Sequence, residues 1–444
     1  FMIAVYRIPG VVATIALWIY TAGVLILVSV YDLTLTLPGI AGIILGIGMA
    51  VDANVIIFAR IREEIASGKT VRSAIDVGFK KALSAIVDGN VTTLIAALVL
   101  GLKGSGTVKG FAQTLALGIV LSMFTALVIT RMILKALYAV GLKDEKFYGK
   151  AKDRKTVDFL AKKKIFFTIS LVMIIGGFVC MGVNKGTSGT ALNYSLDFVG
   201  GTSTNVTFNE DMDLAALDSQ VVPVIEKITK DANVQVQKVA GGNQVIFKTR
   251  TLDVEERQAL TEALVENFGV NSDLITAETI SSTISSEMRS DAIVAVVIAA
   301  ICMLLYIWFR FKDIRFATSS VAALIHDVLV VVTAYALIRI SVGSTFIACI
   351  LTIVGYSVND TIVIFDRIRE NLGAMTKKDD LEQLVNRSIS QTLSRSIFTS
   401  LTTFFMVAAL FVLGVSSIRE FALPLMVGIV CGTYSSVCIT GALW

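Results

Sequence analysis

Hydrophobic residues make up 55% of this 444-residue chain and charged residues only 17%, and the mean hydropathy is +0.76. This balance excludes an ordinary soluble domain and predicts a membrane protein. The net charge of +4 is less informative than the places where the charges lie.

Taken in chain order, apolar runs of about 20 residues predict ten membrane-spanning helices. They lie near 11–31, 39–58, 82–101, 111–131, 165–183, 291–309, 316–338, 345–366, 396–414 and 421–443. The stretch from Phe1 to Tyr6 is similar to the end of one more span. Because the chain opens on this apolar stretch, without an initiator methionine or a charged signal segment, we expect that an N-terminal part is missing.

Lysine and arginine are concentrated in three long connections, 59–81, 131–164 and 367–395. The positive-inside rule places these connections in the cytosol and the segment 184–288 on the outer side of the membrane. Residues 141–164 are predicted to form a basic cytosolic linker, because the pattern of the first half restarts after them. The alternative is a plain basic collar that fixes the topology next to a span.

The segment 184–288 has the composition of a soluble domain. Alternating polar and apolar residues predict strands at 202–208, 235–240, 245–249 and 275–280, with a hairpin turn at Gly241-Gly242-Asn243. Helical periodicity predicts helices over 211–231 and 253–268, with Thr251 as the N-cap of the second. The order β-α-β-β-α-β predicts a small α+β, ferredoxin-like module on the extracytoplasmic side, and no residue in it suggests catalysis.

Two distant stretches repeat one pattern, in which an apolar run contains an acidic residue and is followed by a short group of basic residues. Gly48–Glu63 returns as Gly355–Glu370, 307 residues later, and Asn90–Leu94 returns as Ser400–Phe404, 310 residues later. We therefore expect two pseudo-symmetric helical bundles with the same helix order. Such bundles pack around an axis along the membrane normal, with the working site between them.

Three ionisable residues are the main candidates for that site. Asp52 and Asp360 lie inside apolar runs, roughly 12 and 10 Å from the basic residues that follow, and Arg395 lies at a similar depth. A charge at membrane depth costs roughly 3 kcal/mol or more, so such residues are usually functional. An acid that alternates between isolation and pairing with an arginine couples proton passage to a change of shape, so we predict a proton pathway through Asp52, Asp360 and Arg395.

This pathway has alternatives. Both acids are also explained as hydrogen-bonding groups between helices, and Arg395 as a side chain that extends to the cytosolic interface. When the repeats are aligned, Asp52 lies opposite Asn359, and Arg395 lies opposite Ala85. The halves are therefore not equivalent, and the second half is the better candidate for the pathway.

Four further residues are weaker candidates for the same pathway: Asp88, Asn90, Asn359 and His326. Asp88 and Asn90 are equally well explained as a polar packing seam, and His326 as either a proton relay or a hydrogen bond between helices. The five cysteines show no metal-binding spacing, so we expect packing roles and no metal site. Nucleotide-binding motifs and nucleophile–base arrangements are lacking, so we do not expect an enzyme.

Several motifs, in the right order and over essentially the whole chain, resemble the SecD/SecF family of the bacterial Sec translocon in its fused form. Those similar to the SecD half are Thr36–Gly42, Gly48–Asn54 and Val108–Ala112, and those similar to the SecF half are Leu196–Thr202, Gly355–Thr361 and Gly432–Ser436. The resemblance implies the resistance-nodulation-division (RND) fold. It assigns residues 1–140 to a SecD-like bundle, and 165–183 with 289–444 to a SecF-like bundle that flanks the small domain.

The resemblance also implies a function, which is the use of the proton-motive force to complete preprotein export after ATP-driven pushing by SecA. The implied location is the bacterial cytoplasmic membrane. The implied partners are the SecYEG channel, SecA, the YidC insertase, unfolded preprotein and membrane lipid, without nucleic acid. No cofactor is implied, since the proton gradient supplies the energy, with sodium as the alternative ion. By motif position the family's proton-path residues fall on Asp52, Asp360 and Arg395.

Two other functions compete with this one. The first is a proton-driven exporter of small molecules or lipids from the same superfamily, but the segment 184–288 is too short for one of the large porter domains that it would need. The second is a scaffold of the translocon that transports nothing, in which the acids serve packing alone. We also expect the family's large first outer domain to be absent from this sequence, which would limit the activity of this polypeptide alone.

Overall fold

The computed structural model describes residues 2–33, 35–104, 106–150, 156–213, 216–231, 234–238, 242–373, 375, 380–414 and 416–444. Ten of the described helices are long and apolar enough to cross a membrane. This number matches the sequence prediction and confirms a polytopic helical membrane protein.

The first half of the described chain contains α1 (Met2–Tyr6), α2 (Ile8–Val30), α3 (Leu37–Ala66), α4 (Val71–Lys103), α5 (Gly106–Phe124) and α6 (Thr130–Val140). A π-helical turn at Thr125–Ile129 joins α5 and α6 into one span. The start of α3 is set by Thr36, whose side chain accepts a hydrogen bond from the Gly39 amide at 3.1 Å. Pro38 fits the first turn of this helix because its missing N–H would have no partner there.

Short 3₁₀ turns at Glu145–Phe147 and Leu160–Lys162 precede α7 (Lys163–Ser188). A small compact unit then comprises Asn193–Ile293 and Ser341–Ser344. Its elements are β1 (Asn193–Tyr194), α8 (Leu196–Val199), β2 (Gly201–Thr207), a π turn at Leu217–Val221, α9 (Val222–Thr229), β3 (Gln235–Lys238), β4 (Gln244–Thr249), α10 (Val254–Phe268), a 3₁₀ turn at Ser272–Leu274 and β5 (Ile275–Ile280).

The main sheet of this unit has the strand order β3-β4-β2-β5, and every neighbouring pair is antiparallel. One helix precedes β3 and another precedes β5, which is the ferredoxin-like arrangement. A core of buried apolar residues fills the unit: Val206, Phe208, Leu217, Val221, Ile225, Val245, Phe247, Leu252, Leu260, Leu264 and Val270. The predicted small α+β module is confirmed.

Two details of this module differ from the sequence prediction. The predicted N-cap Thr251 is wrong, because Asp253 caps α10 in a capping box: its side chain accepts from the Glu256 amide at 2.7 Å, and Glu256 accepts from the Asp253 amide at 3.2 Å. The helix predicted over 211–231 is shorter and ends at Thr229, because Lys230 adopts a left-handed backbone conformation with φ of 50°. Residues 239–241 of the predicted strand and turn lie outside the described residues.

The second half continues with α11 (Ser282–Phe311), α12 (Ile314–Ile338), β6 (Ser341–Val342), α13 (Ser344–Leu372), α14 (Leu381–Leu413), α15 (Ser416–Ser435), a π turn at Ser436–Thr440 and α16 (Gly441–Leu443). The strand β6 pairs in parallel with β1. A π turn thus interrupts the last span of each half at nearly the same point.

Contacts between the halves exchange equivalent residues, as a pseudo-two-fold axis requires. A Cβ built on Gly48 would lie 3.3 Å from the side chain of Thr403, and one built on Gly355 would lie 3.1 Å from Thr93. Each small residue therefore admits the threonine of the opposite half. On the same pattern, the rings of Phe111 and its equivalent in the second half contact each other with centroids 5.5 Å apart.

Candidate functional site: buried polar groups between the two halves

The helices α3 and α13 carry the repeated acid-containing motif and are the two most buried of the ten spans. Asp52 on α3 is 4% exposed, and its Oδ2 accepts a hydrogen bond from Asn359 Nδ2 on α13 at 2.9 Å. Both residues face the other half rather than lipid. This contact agrees with the sequence prediction that the working site lies between the two bundles.

One oxygen of Asp52 remains without a partner. Its Oδ1 and the Oδ1 of Asn359 are buried and make no hydrogen bond within the described part of the chain. A cavity of about 10 Å³ adjoins Asp52, which is close to the smallest space that holds one water molecule. Asn90, Thr93 and Tyr356 are among the residues that line it, so its wall offers several hydrogen-bonding groups to a water beside the acid.

Asp360 directly follows Asn359 on α13 and faces α14. It is 4% exposed, and its hydrogen-bond donors within the described part of the chain are two hydroxyls, Ser400 Oγ at 3.2 Å and Thr399 Oγ1 at 3.5 Å. Thr433 on α15 extends this chain of hydroxyls by donating to Ser400 Oγ at 2.5 Å. Both donors are neutral and both bonds are longer than is usual between oxygens, so this carboxyl is weakly held for a buried acid.

Arg395 on α14 is 7% exposed, and its charge acts on both Asp52 and Asp360. Within the described residues, no salt bridge joins it to either acid, and its Nε and Nη2 atoms have no hydrogen-bond partner. The structure thus gathers the three main candidates into one electrostatic cluster without direct pairing. Their role in proton transfer stays a prediction.

Asp88 differs from these acids because both of its oxygens have strong donors. Tyr306 donates from its hydroxyl at 2.8 Å and Arg310 from Nε at 2.7 Å, both from α11 of the second half. Asn90, two residues later, donates to the backbone carbonyl of Ile86 at 2.7 Å and lines the cavity beside Asp52.

His326 belongs to a second polar cluster, centred on Asp327, which is fully buried. One oxygen of Asp327 lies 2.9 Å from His326 Nδ1 and 3.2 Å from Cys431 Sγ, and the other accepts from Ser357 at 2.5 Å and Ser435 at 2.8 Å. The side chains of His326, Asp327 and Cys431 have suitable atoms for a metal, all within 4.8 Å of one another. Hydrogen bonds to both carboxylate oxygens already account for the cluster, which joins α12, α13 and α15.

A set of crossed ion pairs, which we call the Arg–Glu seam, closes the ends of α3 and α13. Arg60 pairs with Glu370 at 3.4 Å and Arg367 with Glu63 at 2.7 Å, so each pair takes one residue from each half. Each arginine also pairs with the glutamate three residues further along its own helix, at 3.0 and 3.4 Å. The side chains of Arg60 and Arg367 are only 5% and 12% exposed, so the seam is a partly buried connection rather than a solvated surface.

Sequence reasoning missed the partners of Asp88 and the hydroxyl ligands of Asp360. Tyr306 and Arg310 are four residues apart, so they lie on one face of α11, but an arginine near the end of a span also fits an ordinary basic collar. Ser400 belongs to the repeated Ser/Asn-x-Thr-Thr motif, and its position opposite the acid depends on helix packing that the motif does not specify.

Comparison with known proteins gives a consistent result. The family model described as "Protein export membrane protein SecD/SecF, C-terminal" matches residues 4–140 and 260–444. The protein translocase subunit SecDF of Bacillus subtilis (strain 168) is 36% identical, over 100% of this chain and 61% of its own length. The crystal structure of SecDF, a translocon-associated membrane protein from Thermus thermophilus, has 36% identity and a TM-score of 0.88, over 99% of this chain and 59% of the other.

A second crystal structure, of SecDF in a "Super-membrane-facing form", has 35% identity and a TM-score of 0.77, over 100% of this chain and 59% of the other. The chain therefore spans about three fifths of the length of these proteins.

Proposed function

As this chain belongs to the SecD/SecF family of protein export membrane proteins, we propose that it is an accessory subunit of the Sec protein translocase. In this proposal it uses the proton-motive force to promote the late stages of preprotein export. Its partners are the SecYEG channel, SecA, the YidC insertase and the unfolded preprotein. It lies in the bacterial cytoplasmic membrane with the small α+β unit on the extracytoplasmic side.

The single observation that carries this proposal is the cluster of Asp52, Asp360 and Arg395 between the two halves. All three side chains are buried, and the two acids have incomplete or weak hydrogen bonding. Two nitrogens of the arginine have no hydrogen-bond partner among the residues that the structure describes. Buried charged groups that lack hydrogen-bond partners destabilise a protein, and no such cost is expected at residues that serve only to pack helices. Their presence favours a site whose bonding changes during a working cycle.

In the proposed cycle, Asp360 is the main protonation switch, with Asp52 as its partner across the interface and Arg395 as the charge that stabilises the ionised state. Protonation of Asp360 removes the negative charge that attracts Arg395. It also weakens the hydrogen bond from Ser400, because a hydrogen bond to a charged acceptor is worth roughly 1.5–3 kcal/mol. That amount is enough to bias two conformations that differ by a few kcal/mol. Packed helices move as rigid elements, so the bias becomes a helix displacement.

The test is Asp360→Asn in membrane vesicles that contain the whole protein and the translocase. We expect loss of the export component that depends on the proton gradient, while SecA-driven, ATP-dependent initiation continues. Asp366→Asn is the matched control, because Asp366 lies on the same helix but pairs with Arg369 away from the cluster. Wild-type gradient dependence in Asp360→Asn, at equal protein abundance, would refute the mechanism and favour a scaffold without transport activity.

The identity of the coupling ion is a separate part of the proposal. Imposing a proton gradient without sodium, and then a sodium gradient without a pH difference, shows which ion drives the gradient-dependent component. We expect the proton gradient alone to suffice. Export that responds only to sodium would assign the same site to the other ion.

A further inference from the structure

The ion pair between Asp88 and Arg310 joins the two halves at a point next to the central site. Asp88 on α4 is 5% exposed, and its partners Tyr306 and Arg310 lie one turn apart on α11. An acid held at both oxygens by an arginine and a tyrosine is a fixed connection, in contrast to the loosely held Asp360. The position of α4 therefore depends on the position of the end of α11.

Gly89, the residue after Asp88, lies against Asn359, which donates a hydrogen bond to Asp52. A Cβ built on Gly89 would lie only 1.9 Å from Asn359 Oδ1, so the backbone of α4 packs directly on the amide that donates to Asp52. Asn90 lines the cavity beside Asp52. A shift of α4 along or around its axis therefore changes the space and the hydrogen bonding at Asp52.

The other end of α11 belongs to the small α+β unit. The helix begins at Ser282, directly after β5, and Ser285 Oγ donates to the carbonyl of Leu196 at 3.1 Å within that unit. It then continues without a break for 30 residues to Phe311, which corresponds to about 45 Å. The part of α11 from Val294 onward belongs to the same compact unit as Asp88, so the contacts of Tyr306 and Arg310 with this acid lie within one unit.

We propose that Asp88, Tyr306 and Arg310 form a mechanical joint that couples the end of α11 to the site around Asp52, so that a displacement of α11 changes the hydrogen bonding of this acid. In this role Asp88 is a positioning residue, and it is not a carrier of the transported proton. The inference rests on the proposed function for its physiological meaning, but the joint itself is a structural property that is measured separately.

The first experiment compares Arg310→Met, Arg310→Lys and Tyr306→Phe with the wild type in export vesicles. We expect Arg310→Met to lower the gradient-dependent component at least fivefold, Tyr306→Phe to lower it severalfold, and Arg310→Lys to retain more of it than Arg310→Met. The ATP-dependent component should stay unchanged in all three. Phe309→Leu is the matched control, since Phe309 is 81% exposed beside the joint. Wild-type gradient dependence in both Arg310→Met and Tyr306→Phe would overturn the proposal.

The second experiment does not depend on export. In a variant without the native cysteines, Asn90→Cys reports the surroundings of the cavity through its rate of alkylation by a water-soluble maleimide. We expect Arg310→Met to change this rate at least threefold and Phe309→Leu to leave it unchanged. If the wild type shows no gradient-dependent export, the proposed function fails, and this rate alone decides the joint. An unchanged rate in Arg310→Met would overturn the joint.

Discussion

Asp52 and Asn359 are equivalent residues of the two internal repeats, 307 positions apart, and they are hydrogen-bonded to each other at 2.9 Å. The pseudo-two-fold axis passes between them, so each occupies the place that symmetry would give to a copy of the other. One supplies a carboxylate acceptor and the other an amide donor. The break in symmetry therefore makes the contact favourable.

The first prediction exchanges these two groups. Asn359→Asp should destabilise the protein by about 2–3 kcal/mol at pH 8, because two carboxylates then face each other in a buried place. The loss should shrink at pH 5, where a proton on one carboxyl restores a donor. Thermal unfolding in detergent at both pH values measures the effect. The swap Asp52→Asn with Asn359→Asp is the control and should recover most of the stability; equal stability of the single and double variants would contradict the pairing.

The second prediction concerns the close approach of α4 to Asn359. In Gly89→Ala the added methyl group would lie 1.9 Å from Asn359 Oδ1, so the amide must move away from Asp52. Overpacking of this kind costs about 1–3 kcal/mol, which exceeds the gain of up to about 1 kcal/mol in helix propensity. Gly176→Ala is the matched control, because a Cβ at Gly176 meets nothing within 4 Å. A lower unfolding temperature is expected for Gly89→Ala only, and equal effects in the two variants would refute the steric argument.

The third prediction tests the Arg–Glu seam by charge exchange. Arg60→Glu should destabilise the protein by about 3 kcal/mol, because it places like charges beside Glu63 and Glu370 in a partly buried seam. Adding Glu370→Arg restores one opposite-charge pair across the halves. A double-mutant cycle on unfolding free energies should give a coupling energy of about 1 kcal/mol or more. Strictly additive effects would show that the crossed pair contributes nothing to the association of the halves.

The fourth prediction concerns the capping box of α10 in the small unit. Asp253→Ala should cost about 1 kcal/mol of stability in this unit. The hydrogen bond from Arg250, followed by that from the Asp253 backbone, holds the pKa of Glu256 below its usual value. A lowered folded-state pKa gives stability above the unfolded pKa of about 4.3, and this stability is lost as the pH falls through the folded value. The protection factors of the α10 amides, in which the intrinsic pH dependence of hydrogen exchange is removed, should therefore fall below about pH 4 in the wild type. In Glu256→Gln this acid-dependent fall should be smaller, and an unchanged pH profile would contradict the assignment.

The sequence predicted the parts of this fold that depend on strong periodic signals. The ten apolar runs correspond to ten described helices, and the predicted extended segments of the small unit correspond to its strands β2 to β5. The capping box was also present in the sequence, since Glu256 follows Asp253 by three residues whereas Val254 follows Thr251. Only Asp253 has the partner that completes the box, so the sequence itself favours Asp253 over Thr251 as the N-cap.

The candidate site was predictable only in part. Asp52 and Asp360 were found because an acid inside an apolar run is conspicuous, and their burial on α3 and α13 agrees with that expectation. Which acid has a strong partner was not predictable. Asp88 and Arg310 are 222 residues apart, and their contact follows from the packing of α4 against α11 rather than from any local pattern.

The Arg–Glu seam has a consequence for how half-molecules recognise each other when many copies share one membrane. Each half presents both an arginine and a glutamate there, so the seam would accept any two halves, alike or unlike. Asp52 and Asn359 do not have this tolerance: two first halves would oppose two acids, whereas one half of each kind matches a carboxylate acceptor with an amide donor. The seam thus favours association in general, while a single buried contact penalises the pairing of two first halves.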